Sequence, residues 1–182
     1  MILRRRALLG LLATSPLVAA LGGCGFQPVY MPTATGTPGP AERELAAIHV
    51  ALIPDRPGQL LRQALQQRFE GAGDATPRRY TLTVSYWIAG QGIGILPGTT
   101  ATRIRMIGNA NWVLTSNDPA QTKIYSGFAR AIDGLNIFDQ QYFASSMETS
   151  VVYHHLAGEI ADQIALRLAS LFRARASARV AG

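Results

Sequence analysis

Residues 80–89 read YTLTVSYWIA, a regular alternation of two kinds of side chain. Apart from Trp87, small polar or small apolar residues separate the larger apolar positions, which are Tyr80, Leu82, Val84, Tyr86 and Ile88. A period of two residues predicts a β-strand with one buried face and one face nearer to solvent. Strands of this one-sided kind are typical of antiparallel sheets that are covered on a single face.

The residues that follow predict two further strands. After a loop at residues 90–100, a second alternation covers residues 102–114, and its less polar set is Thr102, Ile104, Met106, Gly108, Ala110, Trp112 and Leu114. Residues 116–119, Ser-Asn-Asp-Pro, predict a turn because these residue types favour turn conformations. Residues 123–132 predict a third strand, in which Gly127 marks a bulge or a close approach. Three consecutive strands predict an antiparallel meander.

Helical patterns flank the meander. Residues 48–53 predict a short strand that Pro54 stops, and Pro57 then opens a helix of about three turns whose apolar positions are Leu60, Leu61, Ala64, Leu65 and Phe69. An S-x-x-E capping box at residues 145–148 predicts the start of a long closing helix. Its apolar stripe consists of Val152, Leu156, Ile160, Ile164, Leu168 and Leu171.

These elements predict an α+β fold in the order β-α-β-β-β-α. Because each strand and each helix has one apolar side, the predicted architecture is a two-layer sandwich. Two helices pack on one face of a four-stranded, mostly antiparallel sheet, and the other face stays free for a ligand or a partner. The domain is predicted to cover residues 48–172, and residues 173–182 are predicted to form a disordered tail.

The N-terminus carries the pattern of an exported lipoprotein. Arginines at positions 4–6 precede an apolar run at residues 7–21, which is too short to span a bilayer, and then Leu21-Gly22-Gly23-Cys24. This order resembles a bacterial lipoprotein signal, which implies removal of residues 1–23 and acylation of Cys24 by a diacylglycerol and a further fatty acid such as palmitate. The alternative is an ordinary signal peptide with an incidental cysteine. Residues 24–47, rich in Pro, Thr and Gly, are predicted to form a flexible tether.

Charge and composition argue against a nucleic-acid partner. Residues 1–23 hold three arginines and no acid, so the formal net charge of +6 falls to +3 when they are removed. A chain this mildly basic lacks the dense positive patch that nucleic acids require.

Enzymatic and metal sites find little support in the sequence. It contains no G-x-S-x-G nucleophile motif. The histidines are His49, within a strand pattern, and the adjacent His154 and His155 on the closing helix. His155 and Glu159 lie one helical turn apart, but no third ligand is marked, so we predict neither a metal site nor a catalytic residue. The covalent lipid is the only predicted attached group, and no cofactor is expected.

Two surface features suggest binding. Arg103 and Arg105 lie two residues apart on one strand face, and a tight hairpin is predicted to place Trp87 opposite Arg103. Guanidinium groups offer planar donors to phosphate, and an indole offers stacking and apolar contact. The alternative is an ordinary solvated strand face. On the predicted loop, Ile93, Ile95 and Leu96 are apolar residues that predict either contact with a partner or packing onto the domain's own core.

The chain resembles the LptE family of lipopolysaccharide-assembly lipoproteins. The resemblance rests on four features in order: the start Cys24-Gly25-Phe26-Gln27-Pro28-Val29-Tyr30, the strand with Arg103-x-Arg105 and Trp112-x-Leu114, the return Tyr125-Ser126-Gly127, and the long C-terminal amphipathic helix. It implies a non-enzymatic outer-membrane lipoprotein that lodges in the lumen of the β-barrel LptD and contacts lipopolysaccharide.

The resemblance also favours lipopolysaccharide as the ligand of Trp87, Arg103 and Arg105, and LptD as the partner of the loop with Ile93, Ile95 and Leu96. Two other classes of function compete with this hypothesis. One is a periplasm-facing adaptor or binding lipoprotein for another envelope component, and the other, least favoured, is an envelope hydrolase.

Overall fold

A mixed four-stranded sheet with helices on one side forms the domain. The computed structural model describes residues 39–70, 76–95, 101–136 and 142–180. In chain order the elements are α1 (Pro40–Ala46), β1 (Ile48–Val50), α2 (Asp55–Phe69), β2 (Tyr80–Ile95), β3 (Ala101–Ser116), β4 (Lys123–Asn136) and α3 (Tyr142–Val180). The strands lie in the order β1-β2-β3-β4; β1 is parallel to β2, and the other pairs are antiparallel. The predicted α+β class and the β-α-β-β-β-α order are confirmed, with α1 as an additional first helix.

The predicted faces of β2 and β3 are confirmed. Leu82 and Val84 on β2 face the helices together with Ala110, Trp112 and Leu114 on β3, and all five are buried. The strands are longer than predicted, because the alternation of residues 80–89 continues as extended backbone to Ile95. Most of the predicted loop at residues 90–100 is therefore strand, with irregular pairing between Gly92 and Ile95.

Trp112 is the largest buried side chain in the core. Gly127 lies opposite it on β4, and a Cβ atom built on Gly127 would stand 2.6 Å from Cζ2 of the indole. This is closer than real Cβ contacts come, so the indole occupies the space that any other residue at 127 would need. The predicted close approach at Gly127 is confirmed, whereas the register shift of this strand pair falls at Leu114 and Thr115 instead.

Small side chains allow α3 to pack closely against β4. The inward positions of β4 include the buried Ala129 and Ala131, and α3 presents a buried alanine series, which is Ala157, Ala161, Ala165 and Ala169. Larger residues of the predicted stripe, such as Leu156 and Ile160, fill the space between α3 and the middle strands. Close packing of this kind fills the interior without voids.

Side chains of α3 also cover part of the outer edge of β4. The amide of Gln163 donates to the carbonyl of Arg130 at 2.9 Å and accepts from the N–H of Arg130 at 3.3 Å, as a neighbouring strand would. The guanidinium of Arg167 donates to the carbonyl of Phe128. Because unpaired strand edges invite pairing with other chains, these contacts protect this edge. At the opposite edge of the sheet, β1 pairs only with residues 80–82, so β2 beyond Leu82 has no strand partner on this edge among the described residues.

Several element boundaries differ from the sequence prediction. The end of the predicted tether forms α1, with Pro40 in its first turn and Ala41 and Leu45 buried. Strand β1 ends at Val50 and α2 starts at Asp55, which makes α2 four turns long. The last helix begins at Tyr142, before the predicted capping box.

The predicted disordered tail is wrong for residues 173–180, which continue α3. Phe172 is buried beside Tyr80, with ring centroids 5.3 Å apart, and this contact holds the last turns of the helix near α1. Alanine and arginine, which dominate residues 173–179, are also strong helix formers. No helix within the described ranges has the length and apolar character needed to cross a membrane.

Candidate functional site

The sheet face turned away from the helices carries the predicted binding residues, and we call it the open face. Its positions form rows across β2, β3 and β4. The rows are given in order along the strands, starting at the turn between β2 and β3, which we call the hairpin end. They are Gly94–Arg103–Asn136, Gln91–Arg105–Gly134, Ala89–Ile107–Ile132, Trp87–Asn109–Arg130 and Ser85–Asn111–Phe128.

Two exposed arginines occupy the hairpin end of the open face. A Cβ atom built on Gly134 would lie 3.6 Å from Nε of Arg103 and 3.7 Å from one of its terminal nitrogens, so this guanidinium lies across Gly134 rather than pointing away from the sheet. Among the residues described, no carboxylate pairs with Arg103 or Arg105. The pair therefore presents two positive charges that no carboxylate of the described residues neutralises.

The predicted pairing of Trp87 with Arg103 is wrong. Trp87 lies opposite Asn109, and Arg103 lies opposite Gly94. The prediction assumed a hairpin whose loop is residues 90–100. In the structure β2 and β3 stay paired well past Ala89, so the turn of the hairpin lies further along the chain from Trp87. Trp87 shares the open face with the arginines, yet four residues along β2 separate it from the partner of Arg105, a distance of about 13 Å.

Apolar side chains fill the space between the arginines and Trp87. Ile107 lies between Ala89 and Ile132 in the next row, and Ile132 is 59% exposed. Trp87 and Phe128 are 45% and 44% exposed further along the same face. Exposed apolar side chains that lie next to one another mark a surface for an apolar ligand or partner, whereas isolated ones do not.

Three residues of this surface were not identified from the sequence, namely Phe128, Arg130 and Ile132. They alternate with Ala129 and Ala131, a pattern in which the larger side chains point outward and the alanines inward. Hydrophobicity alone does not separate these two faces, because both contain apolar residues. The signal that could have found them is side-chain volume, since a helix lying close above β4 requires small residues on the inner face.

Two of the three predicted partner-binding residues, Ile93 and Ile95, lie at the hairpin end of β2. Ile93 is 45% exposed and belongs to β2, not to a loop. Ile95 is the last residue of the same strand. Leu96 and the lipidation site Cys24 lie outside the described residues.

The histidine pair of α3 borders a shallow acidic groove. Nδ1 of His155 lies 3.4 Å from Oδ2 of Asp133 on β4, and His154, Glu159 and Asp162 line the same groove. Within the described part of the chain, no three His, Cys, Asp or Glu side chains converge in a way that could hold a metal ion. The contact between His155 and Asp133 links α3 to the edge strand.

One buried hydroxyl group lies beneath the sheet. The hydroxyl of Tyr86 finds no hydrogen-bond partner among the described residues, and neither does Nε1 of Trp112. Burial, with a smaller contribution from Tyr153, raises the pKa of Tyr86 to about 12. The phenol therefore stays protonated at physiological pH.

Comparison with solved structures supports the fold. The chain is similar to a lipoprotein from Caulobacter crescentus, with 21% identity, a TM-score of 0.58, and coverage of 73% of this chain and 96% of the other. It is also similar to lipoprotein B from Nitrosomonas europaea, with 13% identity, a TM-score of 0.50, and coverage of 70% and 83%. At these identities the similarity establishes a shared fold. Among curated protein sequences, none matches the chain at a significant level.

A family model gives the closer assignment. The model for LptE, described as lipopolysaccharide-assembly, matches residues 45–168. This match covers more than half of the chain and includes every strand, all of α2 and most of α3. The family is a non-enzymatic one of lipopolysaccharide-assembly lipoproteins. The chain therefore belongs to the LptE family.

Proposed function

We propose that this protein is an outer-membrane lipoprotein, anchored through Cys24, that holds lipopolysaccharide on its open face during assembly and acts with the β-barrel LptD. Membership of the LptE family supports a role in lipopolysaccharide assembly. The observation that carries the proposal is the arrangement of Arg103 and Arg105 beside an exposed apolar surface on a sheet face that no described helix covers.

The arginine pair fits the phosphate groups of lipid A. Each guanidinium offers several N–H donors in one plane, and hydrogen bonds between ionised partners are roughly twice as strong as neutral ones. Arg103 lies along the sheet over Gly134, so its donors are held close to the apolar rows. If a lipid A phosphate binds there, the acyl chains of the same lipid would lie close to the apolar rows.

The rows beyond the arginines fit those acyl chains. Ile107, Ile132 and Trp87 form an apolar path that leads away from Arg105 along the strands. Contact with an acyl chain removes their exposed surface from water, at about 25 cal/mol per Å². Arg130, in the same row as Trp87 but on the far side of Asn109, adds a positive charge at the far end of the path.

The hairpin end supports a barrel partner. Ile93 is exposed near the end of β2, and the edge of β2 beyond Leu82 is not paired with β1. An exposed apolar side chain next to an unpaired strand edge is suited to contact with a second protein. We assign Ile93, Ile95 and Leu96 to this contact.

A lipopolysaccharide titration tests the open face. Replacing Arg103→Glu and Arg105→Glu together reverses the local charge and is expected to weaken binding at least tenfold. Arg56→Glu with Lys123→Glu is the matched control, because both side chains are exposed and the change in net charge is the same. Equal affinity of the Arg103/Arg105 variant and the wild type would mean that these residues belong to an ordinary solvated strand face and do not bind lipopolysaccharide.

Copurification tests the barrel partner. The wild-type protein should remain bound to LptD in detergent, whereas a periplasm-facing adaptor would elute alone. Ile93→Ser should weaken this association more than lipopolysaccharide binding, because it keeps both guanidinium groups although Ile93 lies between the β2 partners of Arg105 and Arg103. Arg103→Glu with Arg105→Glu should show the reverse pattern. Loss of both activities in both variants would contradict separate surfaces.

The anchor is tested by Cys24→Ser. Acylation requires the thiol, so this variant should accumulate as unprocessed or mislocalised precursor, which membrane fractionation and mass spectrometry detect. Normal processing and fractionation with the outer membrane would exclude Cys24 as the lipid site.

A further inference from the structure

A basic pocket lies where α1 meets the C-terminal end of α3. Its volume is about 290 Å³, and its walls include Arg43, Glu44, Tyr80, Phe172, Arg175 and Arg179. It opens on the helical side of the domain, so it is separate from the open face.

The only carboxylate among these wall residues is already engaged. The hydroxyl of Tyr80 donates to Oε2 of Glu44 at 2.8 Å, and a terminal nitrogen of Arg79 lies 3.0 Å from the same oxygen. The rings of Tyr80 and Phe172 lie against each other with centroids 5.3 Å apart and planes tilted by 35°, and they give the pocket an aromatic wall. These contacts fix the side chain of Glu44 and balance its charge.

Three other residues of the pocket wall carry guanidinium groups, namely Arg43, Arg175 and Arg179. Within the described ranges, no carboxylate pairs with Arg43, Arg175 or Arg179. Arg175 and Arg179 lie one helical turn apart on the same side of α3. Burial and Glu44 raise the pKa of Tyr80, and the charges of Arg79 and Arg175 partly oppose this rise.

The helix dipole does not account for the whole cluster. Positive side chains are favourable near the C-terminus of a helix, which explains Arg175 and Arg179 on α3. Arg43 belongs to a different helix and lines the same pocket. Three like charges that no carboxylate of the described residues neutralises repel one another, and an anion bound between them would relieve this repulsion.

The position of the pocket indicates which anion is available. Pro40, the first residue of α1, is part of its wall, and residues 24–38 connect Cys24 to this point. Even fully extended, a segment of this length spans about 50 Å. The pocket is thus the part of the described domain that follows the proposed anchor most directly along the chain.

We propose that this pocket binds the phosphate group of an anionic phospholipid in the membrane that holds the chain. The three arginines take the phosphate oxygens, and the partly exposed ring of Tyr80 contacts the glycerol end of the lipid. Binding there would orient the domain relative to the membrane. The inference rests on the proposed anchoring at Cys24 for the position of the pocket, but its test does not require the anchor.

The test uses the whole mature chain carrying Cys24→Ser, so that no covalent lipid contributes to binding. Partition onto phosphatidylcholine vesicles containing phosphatidylglycerol is measured at low salt by cosedimentation. A basic side chain close to an anionic surface contributes about fivefold in affinity, so replacing Arg43, Arg175 and Arg179 with Gln should weaken partition about 100-fold. Replacing the three with Lys should retain most of it.

The matched control replaces Arg56, Lys123 and Arg167, which are exposed basic residues outside both the pocket and the open-face rows, with Gln. It removes the same charge and should reduce partition by less than about fivefold. Equal losses in the two triple variants would mean non-specific attraction, and no loss in the pocket variant would mean no site; either result overturns the proposal. Unchanged melting temperatures confirm that both variants are folded.

Two further arms separate the possible sources of phosphate. Inorganic phosphate that stabilises the wild type against heat, with no binding to vesicles, would overturn the lipid assignment in favour of a free-anion site. A pocket variant that loses lipopolysaccharide but still binds phosphatidylglycerol would overturn it in favour of the assembly substrate. Failure of the proposed open-face function would appear instead in the Arg103→Glu and Arg105→Glu titration, with vesicle binding unchanged.

Discussion

The two faces of the sheet are both rich in apolar residues, but they use them differently. The helix-facing side buries Trp112 and Leu114 completely or nearly so, and in the middle of β4 it presents small residues such as Ala129, with Leu135 buried near the end of the strand. The open face instead leaves Trp87 and Ile132 about half exposed. The difference shows that hydrophobicity does not by itself identify the buried side of a strand.

Side-chain volume and the helices that cover the sheet distinguish the buried side of a strand from its exposed side. Large residues face inward on β2 and β3, where α2 and α3 leave room, whereas alanines face inward on β4, where α3 lies close. The apolar residues of the open face have no such partner in the described domain. They are available for a ligand, and removing them should cost little folding stability.

The largest expected effect is the loss of Trp112. Trp112→Ala removes a fully enclosed indole and should lower the free energy of unfolding by about 3 to 5 kcal/mol, and Leu156→Ala on α3 by about 2 to 5 kcal/mol. Denaturant unfolding with fitted midpoints and m-values measures both changes. Phe128→Ala on the open face is the control and should cost less than about 1 kcal/mol, since its side chain is 44% exposed. A cost for Phe128→Ala equal to that of Trp112→Ala would invalidate the contrast between the faces.

Two glycine substitutions give opposite signs. Gly127→Ala places a methyl group against the indole of Trp112 and should destabilise the domain by about 1 to 3 kcal/mol. Gly158→Ala on α3 meets no atom within 4 Å and should stabilise it by up to about 1 kcal/mol, because alanine favours helix. Thermal unfolding of both variants measures the two signs. Destabilisation by Gly158→Ala as large as that by Gly127→Ala would mean that propensity and sterics do not explain these sites.

Much of this fold follows from periodicity. The alternation of residues 80–89 and the stripe from Val152 to Leu168 identified the inner surfaces of β2 and α3, because large apolar residues at regular spacing are rarely placed otherwise. Helix α1 was missed because Pro40 closes a Pro-rich segment and also begins the helix. The extension of α3 was missed because residues 173–179 lack a continuous apolar stripe; Phe172, which packs on Tyr80, holds this end.

The site was only partly predictable. Arg103 and Arg105 share a strand face by spacing alone, so their place on the open face follows from alternation. The partner of Trp87 depends on where the hairpin turns, and the glycines of residues 90–94 led to a loop prediction although they lie in a strand. Phe128, Arg130 and Ile132 required the register of β4 and the closeness of α3, which come from tertiary packing and not from local pattern.

A smaller effect is expected at the edge of β4. Gln163→Ala removes both hydrogen bonds to the backbone of Arg130, but water can replace them, so the expected loss of stability is about 0.5 to 1.5 kcal/mol. The uncovered edge should also increase self-association, which light scattering at rising protein concentration measures. Gln67→Ala on α2, where the glutamine side chain is exposed, is the control. Equal scattering by the two variants would mean that Gln163 does not protect the edge.

The smallest change in stability, and the clearest separation of the two faces, is expected for Ile132→Ser. Its side chain is 59% exposed, so the free energy of unfolding should change by only about 0.5 kcal/mol. If the open face holds acyl chains, the same substitution places a hydroxyl in their path, next to Ile107, and should weaken lipopolysaccharide binding about threefold to tenfold. Leu52→Ser is the matched control, because Leu52 is 71% exposed and lies in the segment between β1 and α2. Reduced binding by Ile132→Ser but not by Leu52→Ser, with both proteins equally stable, assigns the exposed apolar rows to ligand contact; equal binding by the two would leave the arginine pair as the only recognition element on this face.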